Sequence, residues 1–136
     1  LFVYGRGVFD PARKQTLKQL LADYKLEKGG SSVVYFYRTV CGECIKTGEE
    51  VMDLLPETVV VDGTSYPQQI IRINTRSGRN AEILQAFFER YEVPPEDQMV
   101  PIVFTTRGYL AGYEAISSGL YPELEKGAGL GMEYPE

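Results

Sequence analysis

At 136 residues the chain is long enough to bury one hydrophobic core without covalent staples, and its 2 cysteines are too few for the disulfide scaffold of a small secreted protein. With 14 basic against 19 acidic residues the formal net charge is −5, and no basic run alternates with aromatics, which argues against a nucleic-acid surface. There is no histidine, which removes Ser-His and Cys-His nucleophile systems and the commonest metal ligand, so any catalysis must run on thiols, carboxylates, tyrosines or amines.

In chain order, Phe2 to Phe9 reads as a first strand, weakened by Gly5 and Gly7. Asp10-Pro11 then opens a helix, because Asp caps and Pro is tolerated in the first turn. Leu17, Leu20, Leu21 and Tyr24 share one face of it, and Gly29-Gly30 ends it. Val33 to Arg38 is nearly all apolar, as expected of a strand buried on both sides. A second helical stripe runs through Cys44, Ile45, Gly48, Val51, Met52 and Leu55 and stops near Pro56. Val59-Val60-Val61 has strand character that Asp62-Gly63 and Pro67 interrupt, so Ile70 to Asn74 is the better strand. A helix follows with Ile83, Leu84, Phe87, Phe88 and Tyr91 apolar, and Pro94-Pro95 closes it. Val100 to Thr105 and Tyr109 to Tyr113 form a hairpin across Thr106-Arg107-Gly108. A last helix covers Glu114 to Lys126, with Ser117 to Pro122 its weakest part, and residues 127–136 read as a flexible tail. The order β-α-β-α-β-α-β-β-α predicts an α/β domain. Its central mixed sheet is covered on both faces, with parallel pairs inside and an antiparallel hairpin at one edge. No internal repeat or linker marks a second domain.

Cys41-Gly42-Glu43-Cys44 falls where the buried strand gives way to the second helix. Two thiols two residues apart on a first helical turn can close a small disulfide and reopen it. The free N–H groups and the dipole of the helix start favour the thiolate of Cys41. Thiol–disulfide exchange is therefore the leading reading. Two others stand beside it: a structural disulfide, which across so short a loop staples nothing distant, and half of a metal site, which would need ligands from a second copy. Glu43 is either a solvated turn residue or a tuning group, since a carboxylate beside the thiols disfavours the thiolate. Arg38 and Lys46 push the other way. Gly127-Ala128-Gly129-Leu130-Gly131 follows a helix rather than a strand and is not a dinucleotide loop.

Over roughly residues 1–126 the chain resembles the thioredoxin-like superfamily. Three elements carry the resemblance: Cys41-Gly42-Glu43-Cys44 between the second strand and its helix, Val100-Pro101-Ile102-Val103-Phe104 ahead of the terminal hairpin, and Gly112 at the end of that hairpin. The resemblance implies a thioredoxin-like domain over 1–126, a cis bond before Pro101 beside the dithiol, and Val100 and Pro101 as substrate-binding positions. It implies Cys41 and Cys44 as the redox-active pair of a protein disulfide oxidoreductase, with Gly42 and Glu43 tuning it and no metal or organic cofactor. Two departures stand out. Val40 replaces the aromatic residue that thioredoxins place before the first cysteine, and Tyr35 replaces the buried acid that assists deprotonation of the second.

The stretch from Val100 to Ile116 is also similar to glutaredoxins and to redoxin domains that accompany membrane-embedded electron carriers. The alternatives are thus a glutathione-dependent reductase, with Gly112 and Tyr113 near the tripeptide, and a non-catalytic redox-sensing or docking module of a larger membrane-associated protein. The implied partners are protein disulfides and an upstream electron donor such as a membrane protein, with no nucleic acid. No stretch of the chain spans a membrane by its hydropathy, and no signal peptide is visible. The sequence opens at Leu1 rather than Met, which allows a removed leader, and an extracytoplasmic or membrane-tethered setting is favoured over a cytoplasmic one. With Glu43 in the dithiol turn, the direction expected is that of a reductase serving cell redox homeostasis by electron transfer to disulfides.

Overall fold

The computed structural model describes residues 2–4, 7–9, 31–106 and 108–128. Phe2–Tyr4 (β1) and Gly7–Phe9 (β2) pair antiparallel, Phe2 opposite Phe9, in a two-stranded sheet of their own. The single first strand expected from the sequence is therefore two. The run folds back on itself, with Val3 opposite Val8 and Tyr4 opposite Gly7. The helix expected from Asp10 to Gly29 lies outside the described residues, as does the tail from residue 129 onward.

The main sheet is built around Ser31–Tyr37 (β3). Val33, Val34, Tyr35 and Phe36 are all buried, as an unbroken apolar run requires. On one side β3 pairs in parallel with the second half of Thr64–Asn74 (β5), Ser31 opposite Gln68 through Tyr37 opposite Asn74. On the other it pairs antiparallel with Ile102–Thr105 (β6), Phe36 opposite Ile102, and β6 continues into the edge strand Gly108–Ala111 (β7). These four strands form a mixed sheet. Thr58–Val61 (β4) extends it against the first half of β5, giving the order β4-β5-β3-β6-β7.

The β4–β5 hairpin corrects the sequence reading, in which Asp62-Gly63 broke a weak strand. Both residues take positive φ, 50° and 80°, the geometry of a tight turn whose twist matches the flanking strands. The dipeptide is thus a connection rather than a break. Pro67 is tolerated in β5 opposite Thr58, on the outlying part of the sheet that β3 does not reach.

Alternation along the strands sorts the core into two layers. Val34, Phe36, Ile71, Ile73, Ile102 and Phe104 face the helix Asn80–Arg90 (α2), whose Ile83, Leu84, Phe87 and Phe88 complete that layer. Phe104 lies 4.8 Å from Phe87 and 4.9 Å from Tyr91 between ring centroids, and Phe36 meets Phe87 edge-on at 5.1 Å. Val33, Tyr35, Val59 and Val103 face the opposite layer, with Met52 and the helix Tyr113–Gly127 (α3). Pro122 lies inside α3 on its exposed side, and the helix persists because Ile116, Leu120 and Leu124 form one buried stripe across it. The helix Gly42–Glu50 (α1) follows β3 and runs into a 3-10 turn at Met52–Leu54, shorter than the stripe to Leu55 suggested.

Two outcomes follow from this packing. Phe36→Ala removes the ring at the centre of the α2 layer and should destabilise the protein by roughly 3–5 kcal/mol, read as a lower urea midpoint. Gly63→Ala keeps every contact but forces a β-carbon into the left-handed region, and should lose about 1–2 kcal/mol, whereas Asp62→Asn stays close to neutral.

Candidate functional site

β3 is buried through Phe36 and half-buried at Tyr37, after which the chain leaves the core at Arg38, Thr39 and Val40, all exposed, and turns into α1. Cys41 occupies the N-cap of α1 in an extended conformation, φ −127° and ψ 109°. Its Sγ accepts the backbone N–H of Cys44 at 3.0 Å, and its carbonyl accepts that of Ile45 at 3.0 Å. Cys41 and Cys44 are joined as a disulfide, with their Cα atoms 5.1 Å apart. The two sulfurs live in different surroundings. Cys41 is half-buried at the helix start, while Cys44 sits one turn in and is 3% exposed.

A CxxC disulfide thus caps a helix that leaves the central strand of a mixed α/β sheet. A sulfur so placed faces an N–H and a helix dipole that stabilise it as a disulfide atom and favour it more as a thiolate.

Behind the dithiol stands Tyr35, the residue found where a buried acid was expected by resemblance. Its hydroxyl donates to the Cys44 carbonyl at 2.9 Å. Burial pushes its ionisation up to about 12, an effect that the nearby Arg72 guanidinium partly offsets. Tyr35 is therefore a neutral donor that anchors the second turn of the dithiol loop, not a base. Thr47, fully buried, donates to the Glu43 carbonyl at 2.8 Å and satisfies its hydroxyl within α1.

The other sequence-derived positions converge on the same end of the sheet. The bond between Val100 and Pro101 is cis, as expected. Phe36 opposite Ile102 is the last pair of β3 and β6, so Pro101 and Val100 lie just past the end of β3, from which α1 departs. Pro101 is buried, and its carbonyl accepts the N–H of Gly112 at 2.8 Å. Gly112, at φ 87°, caps α3; a β-carbon there would stand 3.7 Å from Met99 Sδ and 3.9 Å from the Glu43 carboxylate. Glu43 and Met99 therefore both border Gly112, and Gly112 is bonded to Pro101. Gly42 opens α1 with nothing within 4 Å of its missing side chain.

The segment leading to Val100 is held by Tyr109, whose hydroxyl donates to Asp97 at 2.7 Å, and by Gln98, which donates to the Val93 carbonyl at 3.0 Å. A groove of about 530 Å³ runs beside Val100 between Arg38, Leu84, Phe88, Gln98 and Met99. Val40 is 73% exposed and Ile45 51%, so apolar surface flanks the dithiol on the solvent side.

Lys46 makes a contact that was not read in the sequence. Its Nζ lies over the ring of Tyr113, 4.2 Å from the centroid, and the Tyr113 hydroxyl donates to Glu50 at 2.8 Å. The cation is engaged with the start of α3. Arg72 and Asp53, paired at 2.8 Å beside Tyr35, were not singled out from the sequence. A charged residue between the buried Ile71 and Ile73 was the signal for the first, and Asp53 carried none.

Among the described residues no group of three or more histidine, cysteine, aspartate or glutamate side chains could hold a metal ion, and no helix is long and apolar enough to cross a membrane. No family model matches the chain, nor does any curated protein or solved structure.

The difference in burial predicts unequal thiols. In the reduced native protein Cys41 should be alkylated by iodoacetamide well before Cys44, and mass spectrometry after timed quenching reads the order; equal rates would contradict the assignment of roles. Tyr35 also predicts an alkaline limit. Its folded-state value lies above the ordinary tyrosine value of about 10. Its contribution is complete below that pH and is lost as pH rises toward about 12. Tyr109, raised to about 12 by its hydrogen bond to Asp97, acts in the same window. Tyr35→Phe should show a shallower fall in urea midpoint over that range than the parent, and should be less stable by about 1 kcal/mol at neutral pH because the Cys44 carbonyl loses its donor.

Proposed function

We propose that this chain is a thioredoxin-like thiol–disulfide oxidoreductase that acts mainly as a reductase of protein disulfides. The observation that carries the reading is the placement of the Cys41 sulfur as the cap of α1, accepting the Cys44 N–H at 3.0 Å, with its partner sulfur buried one turn further in. In the reduced form the Cys41 thiolate attacks one sulfur of a substrate disulfide. That bond breaks, the first substrate thiolate leaves, and a mixed disulfide joins Cys41 to the substrate. Cys44, as thiolate, then attacks Cys41 Sγ, the mixed disulfide breaks, and the second substrate thiol departs. Two electrons have passed from the dithiol to the substrate, and an upstream donor must return them.

The surroundings support a protein substrate. Val40 and Ile45 offer apolar contact on either side of the dithiol, and the groove beside Val100 leaves room for an extended segment. Val100 lines that groove, and in this reading its N–H and C=O bond a substrate strand in the manner of sheet-edge recognition. Val100 and Pro101 are accordingly the substrate-binding positions in this reading, and residues 1–126 its domain. The reducing direction is supported by what surrounds Cys41. Glu43 adds a negative charge to the turn, and Lys46 is partly occupied by Tyr113, so the thiolate has the helix end as its main support. A dithiol whose reduced form is weakly stabilised sits toward the reducing end.

Reduction of a protein disulfide such as that of insulin, with a chemical reductant as donor, tests the reading. The parent should be active, Cys41→Ser should fall to background, and Cys44→Ser should accumulate mixed disulfides that Cys41→Ser does not. Failure of the parent to reduce protein disulfides, with rapid glutathione-dependent reduction of a glutathionylated peptide, would move the assignment to a glutaredoxin-like enzyme. Equilibration against glutathione redox buffers tests the direction: a disulfide readily reduced by a mostly oxidised mixture would make the domain an oxidant.

A further inference from the structure

Resolution of a mixed disulfide requires Cys44 to lose a proton, yet Cys44 is 3% exposed. The hydroxyl nearest to its backbone, that of Tyr35, is already donating to the Cys44 carbonyl and holds its proton at neutral pH. Cys44 does, however, border a cleft of about 320 Å³. That is room for several waters at roughly 30 Å³ each. The charged and titratable groups that line the cleft are Tyr35 and Tyr37 from β3, Arg38 just after it, Glu49 from α1, Asp53 from the 3-10 turn and Arg72 from β5.

Two of these are carboxylates, and their settings differ. Glu49 lies on the exposed side of α1 with no described partner. Asp53 is fixed: Arg72 Nη1 donates to its Oδ1 at 2.8 Å, and no described group bonds Oδ2. Arg72 stands directly across from Tyr35 in the β3–β5 register, so the strand position that holds Asp53 neighbours the one whose hydroxyl bonds Cys44. The pair is half exposed, with the Arg72 and Asp53 side chains 40% and 55% accessible, so its contribution to folding is small and its position at the cleft is what distinguishes it.

We propose that Asp53 is the proton acceptor for Cys44, reached through water in this cleft, and that Arg72 is the residue that positions it. The step rests on the exchange reading above. The Cys44 S–H proton passes through water to the Asp53 carboxylate. The electron pair left on Cys44 Sγ forms the bond to Cys41 Sγ as the Cys41–substrate bond breaks, and the substrate leaves as a thiolate. Asp53 then returns its proton to solvent or to that thiolate.

The test is a single-turnover reaction of the reduced full chain with an aromatic disulfide whose two thiolates are coloured. The first burst reports attack by Cys41 and the second reports resolution by Cys44. In Asp53→Asn the first burst should keep its rate, and the second should slow on the order of 10- to 100-fold at about pH 6.5. That deficit should close as pH rises toward about 9, where hydroxide takes over. Asp53→Glu should recover most of the rate, Glu49→Gln should match the parent, and Arg72→Lys should fall less than Arg72→Gln. A second burst in Asp53→Asn at the parental rate over the whole pH range would overturn the proposal, as would slowing by Glu49→Gln alone. Absence of the first burst in the parent is a separate result: it would remove the exchange reading, and this step with it.

Discussion

The strand Ser31–Tyr37 has to hide side chains on both of its faces, and much of the described domain follows from how that is done. Val34 and Phe36 go under α2, and Val33 and Tyr35 go under Met52 and α3. Strands on each side satisfy its backbone, β5 in parallel and β6 antiparallel. A strand so enclosed can release its chain only at its end. That end is where Cys41 caps α1 and where the cis Val100–Pro101 bond leads into β6. The dithiol is held at the rim of the sheet by the same burial that stabilises the sheet.

The polar groups near the dithiol are arranged in two tiers. Toward solvent lie Val40, Ile45, Met99 and Glu43, with Gly112 close enough to Glu43 and Met99 that a side chain there would touch both. Behind the dithiol lie the buried Tyr35, on the Cys44 carbonyl, and the half-exposed Arg72–Asp53 pair at the mouth of a cleft. The outer tier suits contact with a partner. The inner tier suits control of the buried sulfur, because a neutral phenol and a compensated ion pair can flank a thiol without imposing a net charge on it. Tyr35 supplies a hydrogen bond but no base, and the cleft beside it holds a carboxylate from another element.

α1 is also tied to the far side of the site. Lys46 rests on the Tyr113 ring and Glu50 accepts the Tyr113 hydroxyl, so one face of the dithiol helix is joined to the first residue of α3. Gly112, immediately before, is bonded to Pro101. Three segments distant in sequence therefore meet through one aromatic residue and one glycine, which limits how far the dithiol can shift relative to the Val100–Pro101 segment.

The sequence by itself determined the α/β class, the buried central strand, the helix opening at the dithiol, the apolar face of α2 and the terminal hairpin. Each depends on local periodicity or on a residue whose backbone preference is strong: the run Val33 to Phe36, the stripe Ile83, Leu84, Phe87 and Phe88, and Cys41-Gly42-Glu43-Cys44 at a strand end. Only the tertiary structure decided that Asp62-Gly63 joins two paired strands rather than ending one, because a positive φ at both residues is useful only when β5 can go on to pair with β3. It also decided that α3 passes through Pro122, since the buried stripe outweighs the lost helical hydrogen bond. The cleft with Asp53 and Arg72 was out of reach for a further reason. Its walls come from β3, α1, the 3-10 turn and β5, and no pattern along the chain records which charged residues such elements bring face to face.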